Sequence, residues 1–201
     1  MTIDKIMRAA PVIPVLVLEE EMDWAALAET FVAAGLPVLE VTLRTPVGLE
    51  AIRQMSRVDG AIVGAGTVLN ELQFAQAIDA GSRFIVSPGL TNPLALAARD
   101  TEIPFLPGVA TAADIMRGLD LGLDRFKFFP AVTSGGIPAL QALSGPFGDI
   151  RFCPTGGVRP DTAKEWLALP PVLCVGGTWF VKPGDDLQTI GERARAAASF
   201  R

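Results

Sequence analysis

Lys127 sits in Asp124-Arg125-Phe126-Lys127-Phe128-Phe129-Pro130, a lone ammonium in an aromatic run closed by a proline. A short segment of this kind reads as a buried strand. Burial disfavours the charged form of an amine, and a neutral amine is the nucleophile that Schiff-base chemistry requires. The other lysines, Lys5, Lys164 and Lys182, lie in ordinary polar surroundings. The same run also fits a lysine at a strand edge whose head snorkels to water over apolar neighbours. The segment alone supports both readings.

Glu40-Val41-Thr42-Leu43-Arg44-Thr45-Pro46 carries the next groups able to do chemistry. Strand alternation puts Glu40, Thr42 and Arg44 on one face and Val41 and Leu43 on the other. With the apolar pair against helices, the polar set points inward. Glu40 then suits a general acid/base, and the planar fork of Arg44 suits a substrate carboxylate. A structural Glu40–Arg44 pair is the plainer alternative, because a buried carboxylate needs a partner.

Glycines mark further loops. Gly64-Ala65-Gly66-Thr67, Ser87-Pro88-Gly89 and Pro107-Gly108 let backbone approach a ligand, and tight turns share that composition. Thr155-Gly156-Gly157-Val158 and Gly176-Gly177-Thr178 carry more as a pair. Gly-Gly turns leading into helices expose N–H groups and a positive dipole end, which suits a phosphate. Ser134-Gly135-Gly136 reads as a flexible loop bordering the pocket.

What the chain lacks narrows the chemistry. It has no His and no Tyr. A Ser-His-Asp or Cys-His nucleophile and a His-ligated zinc are thereby excluded. Proton transfer falls to Glu, Asp, Lys, Cys, water or the substrate. Cys153 and Cys174 read as isolated buried thiols. A net charge of −5 and a pI near 4.8, without a Lys/Arg cluster, argue against nucleic acid. Pro11 to Leu18, the longest apolar run, is too short to span a bilayer. No cationic segment with a small-residue cleavage site opens the sequence, so the cytoplasm is the expected location.

These residues must be held by regular elements. Apolar runs occur at Pro11 to Leu18, Val38 to Leu43, Ala61 to Val63, Arg83 to Val86, Ile103 to Leu106, Arg125 to Phe129, Arg151 to Cys153 and Val172 to Val175. Their starts recur at roughly 20–26 residues, about one strand-loop-helix-loop unit. Helix signals fall between them: Asp23 to Glu29 before Gly35, Asn70 to Gln73 ending near Gly81, Thr111 to Asp114 ending near Gly118, Pro160 to Leu169, and Asp185 to Ala198. Met1 to Ala10 reads as a short extra helix. With no linker or composition break, residues 1–201 are expected to form one domain, a (β/α)8 TIM barrel with a short N-terminal helix. An open doubly wound sheet is the competitor, but a GxGxxG or GxxxxGK[ST] after the first strand is missing.

Five segments together resemble one family: Leu39-Glu40-Val41-Thr42-Leu43-Arg44-Thr45, Gly64-Ala65-Gly66-Thr67-Val68-Leu69, Arg125-Phe126-Lys127-Phe128-Phe129-Pro130-Ala131, Phe152-Cys153-Pro154-Thr155-Gly156-Gly157 and Cys174-Val175-Gly176-Gly177-Thr178-Trp179. They resemble the class I 2-keto-3-deoxy-6-phosphogluconate (KDPG) aldolases, which often also act on 4-hydroxy-2-oxoglutarate (KHG). The resemblance runs from about Met7 to Trp179 and implies a homotrimer of barrels that needs no metal or cofactor. It implies that Lys127 forms the Schiff base and that Glu40 handles protons. Arg44, Thr67, Pro88 and Phe129 match positions lining the keto-acid pocket. Gly156, Gly157 and Thr178 match the phosphate site, beside Gly176 and Gly177. The implied partner is a small phosphorylated keto acid. Two departures stand out. Thr178 replaces a serine and retains the hydroxyl, and Ala131-Val132-Thr133 replaces an acidic residue after Pro130.

Two competing functions remain at this point. A phosphosugar epimerase or decarboxylase would share the Gly-rich loops, although metal-dependent epimerases want His ligands. A non-enzymatic phosphosugar-binding barrel would use Lys127 and Glu40 as a buried ion pair only.

Overall fold

The computed structural model of the protein describes residues 1–19 and 22–200. The apolar runs become short parallel strands: β1 (Val12–Leu16), β2 (Val38–Thr42), β3 (Ile62–Gly66), β4 (Ile85–Val86), β5 (Phe105–Leu106), β6 (Gly108–Val109), β7 (Arg125–Phe128), β8 (Arg151–Pro154) and β9 (Val175–Gly177). Six of them form one curled sheet in the order β5-β4-β3-β2-β1-β9, and β6-β7-β8 form a second. The fifth apolar run ends with β5, and β6 is a further strand beyond it, across Pro107. Pro107 has no N–H to give the ladder, which accounts for the break. Single parallel bridges, Phe152↔Val172 and Thr155↔Gly176, connect the β8 segment to the β9 segment.

Helices alternate with these strands: α1 (Ile3–Arg8), α2 (Trp24–Ala33), α3 (Gly48–Met55), α4 (Glu71–Asp79), α5 (Asn92–Thr101), α6 (Ala112–Asp120), α7 (Gly136–Ser144), α8 (Ala163–Leu167) and α9 (Leu187–Ala198). Their starts follow capping chemistry. Asp23, Asn70, Thr111 and Asp186 each accept a backbone N–H three residues on. At α6 the box is reciprocal, with Asp114 reaching back to the N–H of Thr111. α6 runs to Asp120, close to the end expected near Gly118. Gly118 lies inside the helix, where a Cβ would stand 2.4 Å from the Phe126 ring. Its job is close packing, and the left-handed turn falls instead to Gly122 (φ 77°).

Two apolar clusters share the interior. The larger fills the space between the strands and the helix layer. The smaller gathers Ile13, Val38, Phe84, Val86, Leu106 and Cys153 from the opposite face of the strands, beneath Ile6 and Met7 of α1. Burial of those two side chains contributes about 1.5–3 kcal/mol each. Asp4 adds a polar tether, accepting from Arg8 at 2.8 Å and from Arg125 of β7 at 2.7 Å. The short N-terminal helix is therefore a plug across one end of the strands.

Candidate active site

Strand period sorts the β7 residues. Phe126 and Phe128 turn toward the helix layer, where their rings meet Phe152 at 6.4 and 6.5 Å and Phe128 meets Trp166 at 6.4 Å. Lys127 turns the other way. The sequence places it among phenylalanines; in space the ring of Phe129 lies beside it, with the centroid 5.4 Å from Nζ. Lys127 is 5% exposed, so the lysine is buried and does not snorkel to water.

Its partner is Glu40, 3% exposed, whose Oε1 accepts from Nζ at 3.0 Å. The plainer alternative, a Glu40–Arg44 pair, does not form. β2 ends at Thr42, so alternation no longer fixes Arg44, which lies exposed in the turn beyond it. A buried carboxylate and a buried ammonium each carry a desolvation penalty that only a close partner offsets. Each supplies that partner for the other. The same contact sets a proton acceptor against a potential amine nucleophile.

Glycines make the room. A Cβ on Gly66 would lie 2.3 Å from Oε1 of Glu40 and 2.6 Å from its Cγ, so the carboxylate occupies space that only glycine leaves open. The next residue, Thr67, has φ 59°. That left-handed conformation is rare and strained for a β-branched residue. Strain of this kind gathers at functional sites, and Thr67 stands at the end of the strand neighbouring Glu40.

The remaining expected residues fall at the ends of the same strands or just past them. Pro88 comes after β4 and is half-buried, next to Ser87, whose hydroxyl donates to the Gly89 carbonyl. Phe129 comes after β7, and its ring packs 3.3 Å from where a Gly156 Cβ would stand. Gly156 (φ 97°) and Gly157 (φ 81°) turn the chain after β8. The N–H groups of Ala131 and Val132 donate to Thr155 and Gly156 at 2.7 and 3.0 Å, lacing the β7 loop to the β8 loop. Thr178 is exposed directly after β9.

Neither Gly-Gly pair of the expected phosphate site opens a helix directly. Gly176 and Gly177 belong to β9 itself, and α9 starts only at Leu187. After Gly157, α8 starts at Ala163. The expected approach of a helix start to either Gly-Gly pair is thus not seen. Gly135 and Gly136, expected as a flexible loop, do open a helix: Gly135 caps α7 in the left-handed region.

Two buried threonines join the site, Thr42 on the inward face expected of it and Thr155 in a segment that reads as a loop. Thr155 is buried, and a Cβ on Gly176 would meet its Oγ1 at 2.3 Å. Thr42 is buried with its hydroxyl unpartnered. Period-2 alternation with Cys153 and Glu40 is the signal that assigns both inward. Among the described residues, no group of three or more His, Cys, Asp or Glu gathers that could hold a metal ion.

Comparison with known proteins places the chain in one family. The family described as "Aldolase: KDPG and KHG aldolase" matches residues 3–192. The KHG/KDPG aldolase of Escherichia coli is 50% identical over 92% of this chain and 87% of its own length. The crystal structure of the 2-keto-3-deoxy-6-phosphogluconate aldolase of Zymomonas mobilis with 3-phosphoglycerate is 55% identical, with a TM-score of 0.96 over 99% of this chain and 96% of that one. A Legionella pneumophila KDPG aldolase, with pyruvate captured as a covalent carbinolamine intermediate, is 44% identical, with a TM-score of 0.93 over 99% of both chains.

Proposed function

We propose, since this chain belongs to the family of KDPG and KHG aldolases, that it cleaves 2-dehydro-3-deoxy-6-phosphogluconate to pyruvate and glyceraldehyde 3-phosphate through an imine on Lys127. It is a carbon–carbon lyase, an aldehyde-lyase of class I. The observation that carries the mechanism is the buried contact between Lys127 Nζ and Glu40 Oε1 at 3.0 Å.

The contact supplies the first step. Glu40 takes a proton from the ammonium, and the freed amine attacks the C2 ketone to give a carbinolamine. Loss of water leaves a protonated imine. Glu40, through a water where the distance requires it, takes the C4 hydroxyl proton as the C3–C4 bond breaks. That bond's electron pair passes into the imine, giving an enamine, and the aldehyde leaves. A proton returned to C3 restores the imine, and water then adds to release pyruvate and the amine. The imine is the electron sink, so the reaction asks for no metal and no cofactor. One carboxyl serving several transfers fits a chain without His or Tyr.

Arg44, Thr67, Pro88 and Phe129 line the keto-acid end in this reading. Gly156, Gly157, Gly176, Gly177 and Thr178 hold the phosphate of a small phosphorylated keto acid. Their placement at strand ends supports it, as do the pyruvate carbinolamine of the Legionella relative and the 3-phosphoglycerate in the Zymomonas one. The dual name of the Escherichia coli relative supports a second substrate, 4-hydroxy-2-oxoglutarate, cleaved to pyruvate and glyoxylate. The reaction belongs to the Entner-Doudoroff pathway, and the cytoplasm is the compartment that suits a phosphorylated sugar acid as substrate.

The two sheets are one (β/α)8 barrel in this reading, and residues 1–201 one domain. β5 and β6 stand either side of Pro107, one in each sheet, and the Thr155↔Gly176 bridge meets β9. The working unit is a homotrimer. Exposed Leu69 just before α4 and Leu72 within it, with Met116 and Leu119 on α6, support association between copies.

Pyruvate with borohydride tests the central step. Intact mass should rise by one reduced pyruvyl group, mapped to Lys127. A folded sample that gains no mass would sink the mechanism.

A further inference from the structure

Glu40 does not stay level with its own backbone. Across the β2–β3 ladder Glu40 pairs with Gly64, while Thr42 pairs with Gly66. Yet the atoms crowding the missing Cβ of Gly66 are Oε1, Cγ and Cδ of Glu40. The carboxylate therefore leans along the strand to the level of Thr42. It fills a side-chain position directly across the ladder from that residue. Thr42 shares the inward face with Glu40, is completely buried, and has a hydroxyl with no hydrogen-bond partner. A buried hydroxyl without a partner, beside a buried carboxylate, asks for an explanation.

We infer that Thr42 is a positioning residue for Glu40, donating its hydroxyl to the carboxylate once Lys127 has become an imine. In the resting site an ammonium with three N–H bonds holds Glu40. Imine formation reduces those to one. Glu40 must then stay aimed at the substrate with most of its former partner gone. A hydroxyl proton turns freely about its C–O bond, so Thr42 can donate when the lysine withdraws. It neither titrates nor competes as a nucleophile. This inference rests on the imine mechanism and adds a residue to it.

Thr42→Val keeps the shape and removes the hydroxyl; Thr42→Ser keeps the hydroxyl; Thr42→Ala leaves space in place of strain. Each variant is measured by borohydride trapping of pyruvate and by exchange of the pyruvate C3 protons in heavy water. Thr42→Val and Thr42→Ala should trap pyruvate on Lys127 as the unmodified protein does. Their exchange kcat should fall roughly tenfold, with KM within about twofold, and Thr42→Ser should recover most of the rate. Trapping with undiminished exchange in Thr42→Val overturns the inference, and so does a Thr42→Ser variant as slow as Thr42→Val. An unmodified protein that traps no pyruvate removes the imine mechanism and this inference with it. The two failures are therefore distinguishable.

Discussion

The carboxylate of Glu40 occupies the space that a side chain on Gly66 would fill, with Oε1 only 2.3 Å from the vacant Cβ position. A Gly66→Ala variant must displace it. Gly64, two residues earlier on β3, offers the contrast, because a Cβ there would meet the Phe84 ring at 2.5 Å. Gly66→Ala should lower aldol cleavage by about 10²–10⁴-fold, the range for losing a positioned general acid/base. Gly64→Ala should cost mainly stability, about 1–3 kcal/mol from overpacking. Steady-state kinetics beside thermal melts separate the two. Equal kinetic losses at both positions would deny Gly66 its special relation to Glu40.

The Lys127–Glu40 pair makes a double-mutant prediction. Removing one member leaves the other buried without a counter-charge, at a cost of about 3–5 kcal/mol. Lys127→Met and Glu40→Gln should each be destabilised in urea titrations. The combined Lys127→Met/Glu40→Gln variant should be more stable than the sum of the two losses implies. Function divides differently. Lys127→Met should form no borohydride-stable adduct, whereas Glu40→Gln should still bind pyruvate but exchange its C3 protons slowly. Unchanged exchange in Glu40→Gln would remove Glu40 from the proton transfers.

Much of this site is legible in the sequence because strand period and residue type act locally. Lys127 and Glu40 are each the charged residue inside an apolar run, and burying them forces a partnership. Which partner Glu40 takes is not local. Arg44 is near in sequence but lies past the end of β2, and Lys127 becomes its neighbour only through the curl of the sheets. Gly118 shows the same limit. Composition marks the end of α6 near it, while its close packing against Phe126, a residue on the next strand, is not local. The inward turn of Thr155 is masked by the adjoining Gly-Gly pair, which makes the whole segment read as a loop.

Thr67 carries strain that can be measured. A β-branched residue at φ 59° costs about 1–2 kcal/mol relative to ordinary backbone. Thr67→Gly relieves that cost but adds about 0.5–1 kcal/mol of lost chain entropy. The balance favours the variant by about 0.5–1 kcal/mol, visible as a melting temperature a few degrees higher. If Thr67 also binds the keto acid, KM for pyruvate should rise in the stabilised variant. A destabilised Thr67→Gly would mean that packing of the side chain offsets its strained conformation.

Asp4 gives the fold a pH dependence far from the chemistry. Hydrogen bonds from Arg8 first, and then from Arg125, hold its carboxyl below the ordinary value of 3.8 against an opposing burial effect. A carboxyl with a lowered folded pKa contributes stability above its unfolded value and loses it as pH falls through the folded one. Asp4 is 32% exposed, so its ion pairs are partly screened and worth about 0.5–1 kcal/mol. Asp4→Asn should therefore be less stable than the unmodified protein by about that amount at pH 7. Denaturant titrations should show the gap shrinking as pH falls below 3.8 and closing once the folded carboxyl too is protonated. Added salt should narrow it at neutral pH, since the pairs are partly exposed. The site at the other end of the strands should keep its activity at pH 7, because Asp4 tethers only the plug. A stability gap indifferent to both pH and salt would assign the role of Asp4 to packing of α1 rather than to its charge.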